Sequence, residues 1–494
     1  MTGSTYVGFV TSFIGSVFAT RAMGPDDYGV YAYLVWMVTF VTGVVTGFLN
    51  ITTVRFVAEA LGADRLALVH SLVSWLKRIF WRMLAASLVV LALSSLVPGL
   101  YPAAVTSHLL PYLGFVALCV LLRATFSFQM GVAKGHSVFY PEAISSSLTG
   151  LLSAAAGAVL LGLGAGLPAF LTLFLLASAF LLVVSLRVMD RHALHHPAGE
   201  PMDDTERSRV GQVLKWNAVI SLVGMLSTKS ADTYLLGLYA TTAYVGYYNI
   251  AWTITKAGLD LLSSGYSSML LPMISRAGGE GDPSKVQRIF TMSFKFYQTV
   301  GIVVAAGAWI IVGPVVHLLY GERYAEVIPA VQVMTMTTGI TLPGAAYSAA
   351  FIATDSQRAR VAFIVTSALV SALSSVAFIP WLGYEGALYS VFVGGVLNFA
   401  ITAVVAHRLL GFAYPWRSVL LQWLCAVLPL GLMSWVLPVG HSLPLAVVSC
   451  LVFGVVFLVL GLNLRAWGDD EIATLRQASP KLDRLIGRLM WRGR

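Results

Sequence analysis

Apolar runs of about twenty residues, separated by short polar segments, repeat along almost the whole chain. Such runs are long enough to cross a bilayer as helices and much longer than the strands of a membrane barrel. A helix also satisfies its own backbone hydrogen bonds inside lipid, where no water can do so. We therefore predict an all-α, polytopic membrane protein with about fourteen transmembrane helices. The predicted spans are residues 4–22, 29–54, 83–101, 109–131, 141–163, 168–188, 216–239, 244–274, 296–319, 328–353, 361–381, 386–406, 418–438 and 444–464.

Two related stretches indicate an internal repeat. RAMGPDDYGVYAYLVW joins the first two spans, and YATTAYVGYYNIAWTITK joins the seventh and eighth. Gly29 and Tyr31 of the first stretch map onto Gly246 and Tyr248 of the second at a constant shift of 217 residues. In both copies a turn, a Gly-x-Tyr motif, a long apolar run and a charged loop follow in the same order. This order predicts two six-span lobes of the same orientation, related by an axis along the membrane normal.

The first of these stretches contains a candidate turn. Pro25 presets the backbone angle φ, and the side chains of Asp26 and Asp27 can accept hydrogen bonds from nearby backbone amides. We therefore expect a Pro-Asp-Asp turn at the outer surface, followed by a second helix that begins near Gly29.

The repeat and the polar segments divide the chain into five parts. The N-terminal lobe is residues 1–188, with spans one to six, and the longest polar stretch, 189–215, is a cytoplasmic linker. The C-terminal lobe is residues 216–407, with spans seven to twelve. Residues 408–465 add spans thirteen and fourteen, which have no counterpart in the first half. Residues 466–494 form a basic, amphipathic cytoplasmic tail.

The composition and the placement of charge narrow the class of protein. Hydrophobic residues make up 58% of the 494 residues and charged residues only 11%, against about 25% in a soluble protein. All but five of the 31 Lys and Arg residues fall on one side of the predicted spans. This is the positive-inside pattern, so we expect a cell-membrane protein with both termini in the cytoplasm. The net charge of +9 therefore does not indicate nucleic-acid binding.

Other candidate features have structural interpretations. The first apolar run has no basic leader, so we expect an uncleaved first span. All three cysteines lie inside apolar runs, without the spacing of a zinc site or a disulfide framework. The linker histidines His192, His195 and His196 have no Cys or carboxylate to complete a metal site, which favours a solvated loop. Segment 66–80, like the tail, predicts an amphipathic helix on the anionic cytoplasmic leaflet.

Ionisable residues inside the predicted spans are the strongest candidates for a functional site, because charge at bilayer depth is costly without a partner or a cavity. Lys229 and Asp232 lie three residues apart in span seven, and Lys256 and Asp260 lie four apart in span eight. Each pair therefore shares a helix face. The two pairs predict a common polar cavity. The alternative is that each pair is neutralised in place and only stabilises the helix bundle.

Three arginines extend this set. Arg21 lies at the outer end of span one and Arg55 at the inner end of span two. Arg123 lies mid-span in span four, with no carboxylate within a helical turn. It either lines the cavity or extends through lipid toward the headgroups. Five amide side chains in or beside the spans predict interhelical hydrogen bonds instead: Asn50, Gln129, Asn217, Asn249 and Asn398.

Fixed cationic side chains in a low-dielectric cavity suit an anionic ligand, and phosphate or diphosphate is the commonest such group. The candidate substrate-binding residues are therefore Arg21, Arg55, Arg123, Lys229 and Lys256. Asp232 and Asp260 either offset the positive charge or carry a coupling H+ or Na+, and the sequence leaves both roles open. We expect no catalytic residue, no metal site and no resident cofactor.

Several motifs carry a family resemblance. RAMGPDDYGVYAYLVWMV, with TTVRFVAEALG downstream, opens the series, and DTYLLGLYATTAYVGYYNIAWTI, MLLPMISRAGGEGD, GERYAEVIPAVQVM and IPWLGYEGALYSVFVGG follow. In this order they resemble the polysaccharide-transporter flippases, the Wzx-like members of the MOP superfamily, which are related to MurJ and the MATE exporters. Each motif is loose, but the ordered set covers essentially the whole chain.

The resemblance implies two six-helix lobes that form a V, with spans one, two, seven and eight around a central cavity. It also implies that a polyprenyl-(di)phosphate-linked oligosaccharide is flipped from the cytoplasmic to the outer leaflet by alternating access. The implied partners are this lipid-linked glycan, membrane lipids and other polysaccharide assembly proteins, without nucleic acid. Lys229 and Lys256 fall on two of the cavity-lining spans, and Arg21 and Arg55 occupy family-like basic positions at the ends of the other two.

Two other functions compete with this prediction. A MATE-like, ion-coupled exporter of small molecules would need a buried carboxylate in the first lobe, whose spans contain no mid-span Asp or Glu. A membrane glycan polymerase or ligase would need catalytic residues on a sizeable outer loop, and every predicted outer loop is short. We therefore predict a transporter, not an enzyme.

Overall fold

The structure is a computed structural model that describes residues 2–190, 201–226, 230–279, 283–353, 357–411, 414–436, 442–468 and 472, and its regular elements are all helical. The α-helices are α1 (Thr2–Ala22), α2 (Pro25–Gly62), α3 (Leu66–Ser94), α4 (Ala103–Thr106), α5 (Leu109–Gly135), α6 (Tyr140–Gly162), α7 (Leu167–Asp190), α8 (Asp204–Leu226), α9 (Ser230–Tyr239), α10 (Thr242–Gly279), α11 (Pro283–Leu319), α12 (Val327–Thr341), α13 (Gly344–Ala353), α14 (Gln357–Leu410), α15 (Trp416–Val436) and α16 (Leu443–Asn463). Short 3-10 turns lie at Pro98–Leu100 and Glu322–Tyr324.

Several of these helices are long and apolar enough to cross a membrane. Within the described residues there are eight, namely α2, α5, α6, α7, α11, α14, α15 and α16. A ninth is added if α8 and α9, whose axes differ by 48°, form one bent span. Every predicted span lies wholly or mainly on these or the remaining helices. The chain is therefore a multi-pass membrane protein, and fourteen is an approximate count of its spans.

The predicted Pro-Asp-Asp turn is wrong, because these residues begin α2. Gly24 precedes the helix and Pro25 is its first residue, a position where the missing N–H and fixed φ of proline suit the helix. Asp26 and Asp27 lie in the first turn, where carboxylates interact favourably with the helix dipole. The second helix therefore starts four residues before Gly29.

Segment 66–80 is also not a separate surface helix. It is continuous with the third span in α3, which ends at Ser94, before the turn that contains Pro98. Proline acts again in the tenth predicted span, which breaks between α12 and α13 at Pro343. The eleventh and twelfth predicted spans are the two arms of α14, which is broken at Gly383. Gly383 has φ of 57°, an angle that glycine adopts without the strain of a side chain.

Contacts divide the chain into two compact units. The first unit is Met1–Asn249 with Ile379–Tyr384, and the second unit is Ile250–Phe378 with Glu385–Arg494. The two six-span lobes are defined from the sequence repeat, with other boundaries than these units, and that division of the chain stays a prediction.

In the first unit, two ion pairs connect α8 to the C-terminal end of α2 and to the residue before α3. Arg209 Nη1 lies 2.6 Å from Glu59 Oε1 of α2. Arg65, just before α3, places its Nη1 2.5 Å from Glu206 Oε1 of α8. Both ion pairs are partly exposed, so they position the helix more than they stabilise the fold.

In the second unit, α11 is the helix on which the others pack. A Cβ built on Gly301 of α11 would lie 2.7 Å from the carbonyl oxygen of Gly339 in α12, so these two backbones are in direct contact. Trp467, which follows α16, donates its indole N–H to Thr299 Oγ1 of α11 at 3.0 Å. The two additional C-terminal helices, α15 and α16, thus belong to the second unit and pack on α11.

The two Gly-x-Tyr motifs meet inside the first unit. A Cβ built on Gly29 would lie 1.9 Å from the carbonyl oxygen of Thr242, and one built on Gly246 would lie 3.3 Å from Gly29 Cα. The backbones of α2 and α10 therefore touch at this crossing. Small residues permit such an approach, which drives helix association in lipid. The repeat seen in the sequence corresponds to a physical contact between its two copies.

We expect Gly29→Ala to destabilise the protein by about 1–3 kcal/mol, because the added methyl group must separate two helix backbones. Thermal unfolding of the detergent-purified protein measures the effect. Gly114→Ala in α5 is the matched control, since a Cβ at Gly114 meets nothing within 4 Å. An unfolding temperature of Gly29→Ala equal to that of the control would contradict the close helix contact.

Candidate functional site

The predicted substrate-binding residues lie at different depths. Arg21 is exposed in the last turn of α1, and Arg55 is exposed in α2. At 1.5 Å of rise per residue, Arg55 lies about 45 Å along α2 from its first residue, so the two arginines do not form one site. Lys256 is exposed in α10.

Other predictions fall on residues that the structure does not describe. These are Lys229, the side chain of Asp260, the linker histidines His192, His195 and His196, and the tail helix. The pairing of Lys229 with Asp232 and of Lys256 with Asp260 therefore stays a prediction.

Arg123 has a defined environment between α5 and α7. Its Nε donates a hydrogen bond to Ser178 Oγ at 2.8 Å. Its Cζ lies 4.2 Å from the centroid of the Phe174 ring, a cation–π contact. Among the described residues, no carboxylate forms an ion pair with Arg123, and its two terminal nitrogens make no hydrogen bond. The guanidinium is thus held by a hydrogen bond at Nε and by a ring against its face, and its terminal nitrogens form no hydrogen bond with a described residue.

A row of aromatic and polar side chains runs from Arg123 to the crossing of the repeat motifs. Tyr31 of α2 packs edge-on against Phe174, with ring centroids 6.3 Å apart. Tyr28 lies next to Tyr31 at 6.1 Å, and its hydroxyl accepts a 3.4 Å hydrogen bond from Asn249 Nδ2 of α10. The row therefore couples the position of α7 and Arg123 to the contact of α2 with α10.

Asp232 is the one carboxylate buried among the described residues, at 7% exposure. Tyr248, at 1% exposure, donates its hydroxyl hydrogen to Asp232 Oδ2 at 2.5 Å, a charge-assisted hydrogen bond. The sequence did not predict this partner, because the two residues lie on different helices and no helical spacing relates them. The available signal was the place of Tyr248 in the Gly-x-Tyr motif.

The tyrosines related by the repeat thus interact with opposite charges. Tyr31 reaches the cationic Arg123 through the ring of Phe174, whereas Tyr248 binds the anionic Asp232 directly. The fold is repeated at these positions, while the charge beside each tyrosine is not.

The predicted interhelical amides are largely confirmed. Besides Asn249, three donate to hydroxyl groups on another helical segment: Asn50 to Ser127 at 2.8 Å, Asn217 to Thr52 at 3.1 Å and Asn398 to Ser367 at 2.7 Å. Gln129 differs, because it forms no hydrogen bond with a described residue, and its Oε1 is buried without a partner, as are the Oδ1 atoms of Asn50 and Asn398. Within the residues that the structure describes, no group of three His, Cys, Asp or Glu side chains could hold a metal ion.

Comparison with known sequences shows the family of the chain and a curated relative. Residues 18–329, well over half of the chain, match the sequence model of polysaccharide biosynthesis proteins. The probable flippase AglR of Haloferax volcanii is 28% identical over 186 residues, which are 36% of this chain. The match spans 37% of the length of that relative.

Comparison with solved structures identifies the fold. The lipid II flippase MurJ, in an inward closed conformation, has a TM-score of 0.71 at 13% identity, over 93% of this chain and 97% of MurJ. An inward-facing multidrug resistance MATE transporter of the MOP superfamily has a TM-score of 0.63 at 13% identity, over 82% of this chain and 94% of the transporter. The chain therefore has the MurJ and MATE fold, and the predicted fold class is confirmed.

We expect Tyr248→Phe to destabilise the protein by about 1–3 kcal/mol, because the buried carboxylate of Asp232 loses a hydrogen-bond donor. Asp232→Asn in the same background removes the charge and should restore part of the loss. Thermal unfolding of the wild type, both single variants and the double variant gives the coupling between the two side chains. Strictly additive losses would show that the side chains do not interact.

Proposed function

Because the chain belongs to the polysaccharide biosynthesis protein family, we propose that it is a flippase for a polyprenyl-(di)phosphate-linked oligosaccharide. It moves this lipid from the cytoplasmic to the outer leaflet by alternating access, with both of its own termini in the cytoplasm. The observation that carries the proposal is the Arg123 guanidinium, which is held at mid-span without a carboxylate partner among the described residues.

A cation at this depth is costly unless an anion or a water-filled cavity accompanies it. Arginine offers two parallel N–H donors that match the oxygens of a phosphate group. The hydrogen bond to Ser178 and the cation–π contact with Phe174 fix the guanidinium before a ligand arrives, so little side-chain entropy is lost on binding. A lipid-linked phosphate is an anion that reaches this depth during translocation.

Basic side chains at other depths extend the route of the phosphate across the membrane. Arg55 lies near the predicted cytoplasmic end, Lys229 and Lys256 lie within the predicted spans, and Arg21 lies at the predicted outer end. Successive cationic positions would lower the barrier for moving a phosphate through hydrocarbon, since the charge is paired at each stage.

We assign the coupling of transport to an ion to two carboxylates, Asp232 and Asp260. Asp232 is buried and already accepts a hydrogen bond from Tyr248, so its protonation would change a contact between α9 and α10. Asp260 is the second candidate for binding H+ or Na+. No cofactor takes part in this transport.

Arg123→Gln should reduce delivery of the glycan to the outer face by more than tenfold, because the phosphate loses its mid-span cation. Ser178→Ala is the matched control, since it removes the hydrogen bond of Arg123 and keeps the charge. Surface glycan and intracellular lipid-linked oligosaccharide are quantified in the source organism, with the protein level measured alongside. Equal losses in both variants would assign Arg123 a structural role only.

Lys229→Gln combined with Lys256→Gln should abolish surface glycan and leave the lipid-linked precursor intact inside the cell. The control is Lys215→Gln combined with Lys285→Gln, which removes two exposed lysines from predicted cytoplasmic segments. Unimpaired surface glycan in the first double variant would refute the assignment of these lysines. Altered glycan length without precursor accumulation would instead indicate a polymerase or ligase.

A MATE-like, ion-coupled exporter of small molecules is the second candidate function. The fold shared with a MATE transporter favours it, whereas the buried carboxylate of Asp232 lies in the predicted C-terminal lobe and not in the first lobe, where such an exporter needs it. An exporter predicts that deletion of the gene changes drug sensitivity without accumulation of a lipid-linked precursor, whereas the flippase predicts accumulation.

A further inference from the structure

A cavity of about 410 Å³ opens at the predicted cytoplasmic end of the first unit, between α3, α5 and α7. Arg123 is not among its lining residues. Its polar lining comes from His70, Ser74 and Lys77 of α3, Thr125 and Gln129 of α5, and His136 just beyond α5. The rest of the lining is mostly apolar and aromatic and includes the stacked rings of Phe80 and Phe128.

The cavity has the dimensions of an amphipathic ligand. Thr125 and His136 are eleven residues apart along α5, or about 16 Å at the rise of an α-helix. It therefore reaches from the headgroup level into the hydrocarbon layer, with the imidazole of His136 at the shallow end and the rings of Phe80 and Phe128 deeper. Such a cavity suits a polar head and the upper part of an acyl chain.

Gln129 gives an independent indication that a ligand belongs here. Its Oε1 is buried and has no hydrogen-bond partner among the described residues, although its side chain lines the cavity. A buried amide oxygen without a donor costs free energy that a bound hydroxyl group or water would recover. The buried Oδ1 atoms of Asn50 and Asn398 also lack a partner, but their amide nitrogens donate to another helical segment, whereas Gln129 forms no hydrogen bond with a described residue and lines the cavity.

Lys77 supplies positive charge at the cavity. It lines the cavity, is exposed, and forms no ion pair with any described residue. Trp81, one turn further along the same face of α3, is 46% exposed, as is common for tryptophan at a membrane interface. Arg78 lies beside Lys77 in sequence but does not line the cavity. Basic pockets between helices at a cytoplasmic surface recognise anionic lipid headgroups.

We propose that this cavity binds an anionic phospholipid of the cytoplasmic leaflet. The phosphate lies at Lys77, a headgroup or glycerol hydroxyl donates to Gln129 Oε1, and the start of an acyl chain lies along Phe80 and Phe128. The site stands on the geometry of the cavity and does not depend on which substrate the protein transports.

Binding of dioleoylphosphatidylglycerol to the full-length protein in detergent, measured by native mass spectrometry, tests the proposal, with dioleoylphosphatidylcholine as the neutral lipid. We expect Lys77→Gln to weaken binding of phosphatidylglycerol by about tenfold, because a charge-assisted contact is lost. Arg78→Gln is the matched control, since it removes an equal charge one residue away and outside the cavity. Equal losses in both variants would indicate diffuse electrostatic attraction and overturn the site.

Two further variants separate lipid binding from folding. Ser74→Trp fills the cavity without a change of charge, and it should reduce binding of phosphatidylglycerol as much as Lys77→Gln does. Gln129→Leu should weaken lipid binding without lowering the unfolding temperature of the lipid-free protein, because it removes the unpaired buried oxygen. A loss of lipid-free stability with unchanged lipid binding would overturn the role of Gln129.

Competition identifies the source of the phosphate. Inorganic phosphate and a polyprenyl monophosphate are each added against bound phosphatidylglycerol. Failure of both to displace it at equal concentration supports the phospholipid. Displacement by polyprenyl phosphate would reassign the cavity to a transported lipid, and displacement by inorganic phosphate would reassign it to a soluble anion; either result overturns the proposal.

Discussion

The contact of α2 with α10 at Gly29 and Gly246 is the interaction on which the first unit depends. In lipid the association of helices gains little from the hydrophobic effect, so backbones must approach closely to gain dispersion energy. Here the approach is close enough that a Cβ on Gly29 would overlap the carbonyl oxygen of Thr242. The same crossing positions Tyr31 and Tyr248, which lie two residues after these glycines. Tyr31 packs against Phe174, the ring that contacts Arg123, and Tyr248 donates a hydrogen bond to Asp232.

Most polar groups inside the helix bundle have a hydrogen-bond partner, and two of the exceptions lie at candidate sites. A buried polar atom away from water needs a partner, which is often a carbonyl of its own helix, as for Thr52, or a group on a neighbouring helix, as for Asn50 Nδ2 on Ser127. The terminal nitrogens of Arg123 and the Oε1 of Gln129 lack such a partner among the described residues. The first group suits a phosphate at mid-span, and the second belongs to a cavity at the predicted cytoplasmic end. Unfilled hydrogen-bonding capacity thus occurs at two depths of the same helix, α5.

Much of the fold could be predicted from hydrophobic pattern, because the bilayer requires long apolar helices and permits few alternatives. The local errors arise where a residue has more than one role. Pro25 suits a turn, but proline is equally suited to the first position of a helix, where it lies in the structure. The amphipathic segment 66–80 and the third span are one helix, since a change from amphipathic to apolar sequence does not interrupt backbone hydrogen bonding.

The sequence by itself determined the membrane class, the helical fold, the Gly-x-Tyr repeat and the identity of Arg123 and Asp232 as unusual charges. These follow from hydropathy and from the cost of charge in lipid, which depend on residue type and position along the chain. Only the tertiary structure decided that Tyr248 binds Asp232, that Ser178 and Phe174 hold Arg123, and that Gln129 lines a cavity. Such partners lie on different helices, and the rotation of one helix against another is set by packing, which no spacing within a single helix encodes.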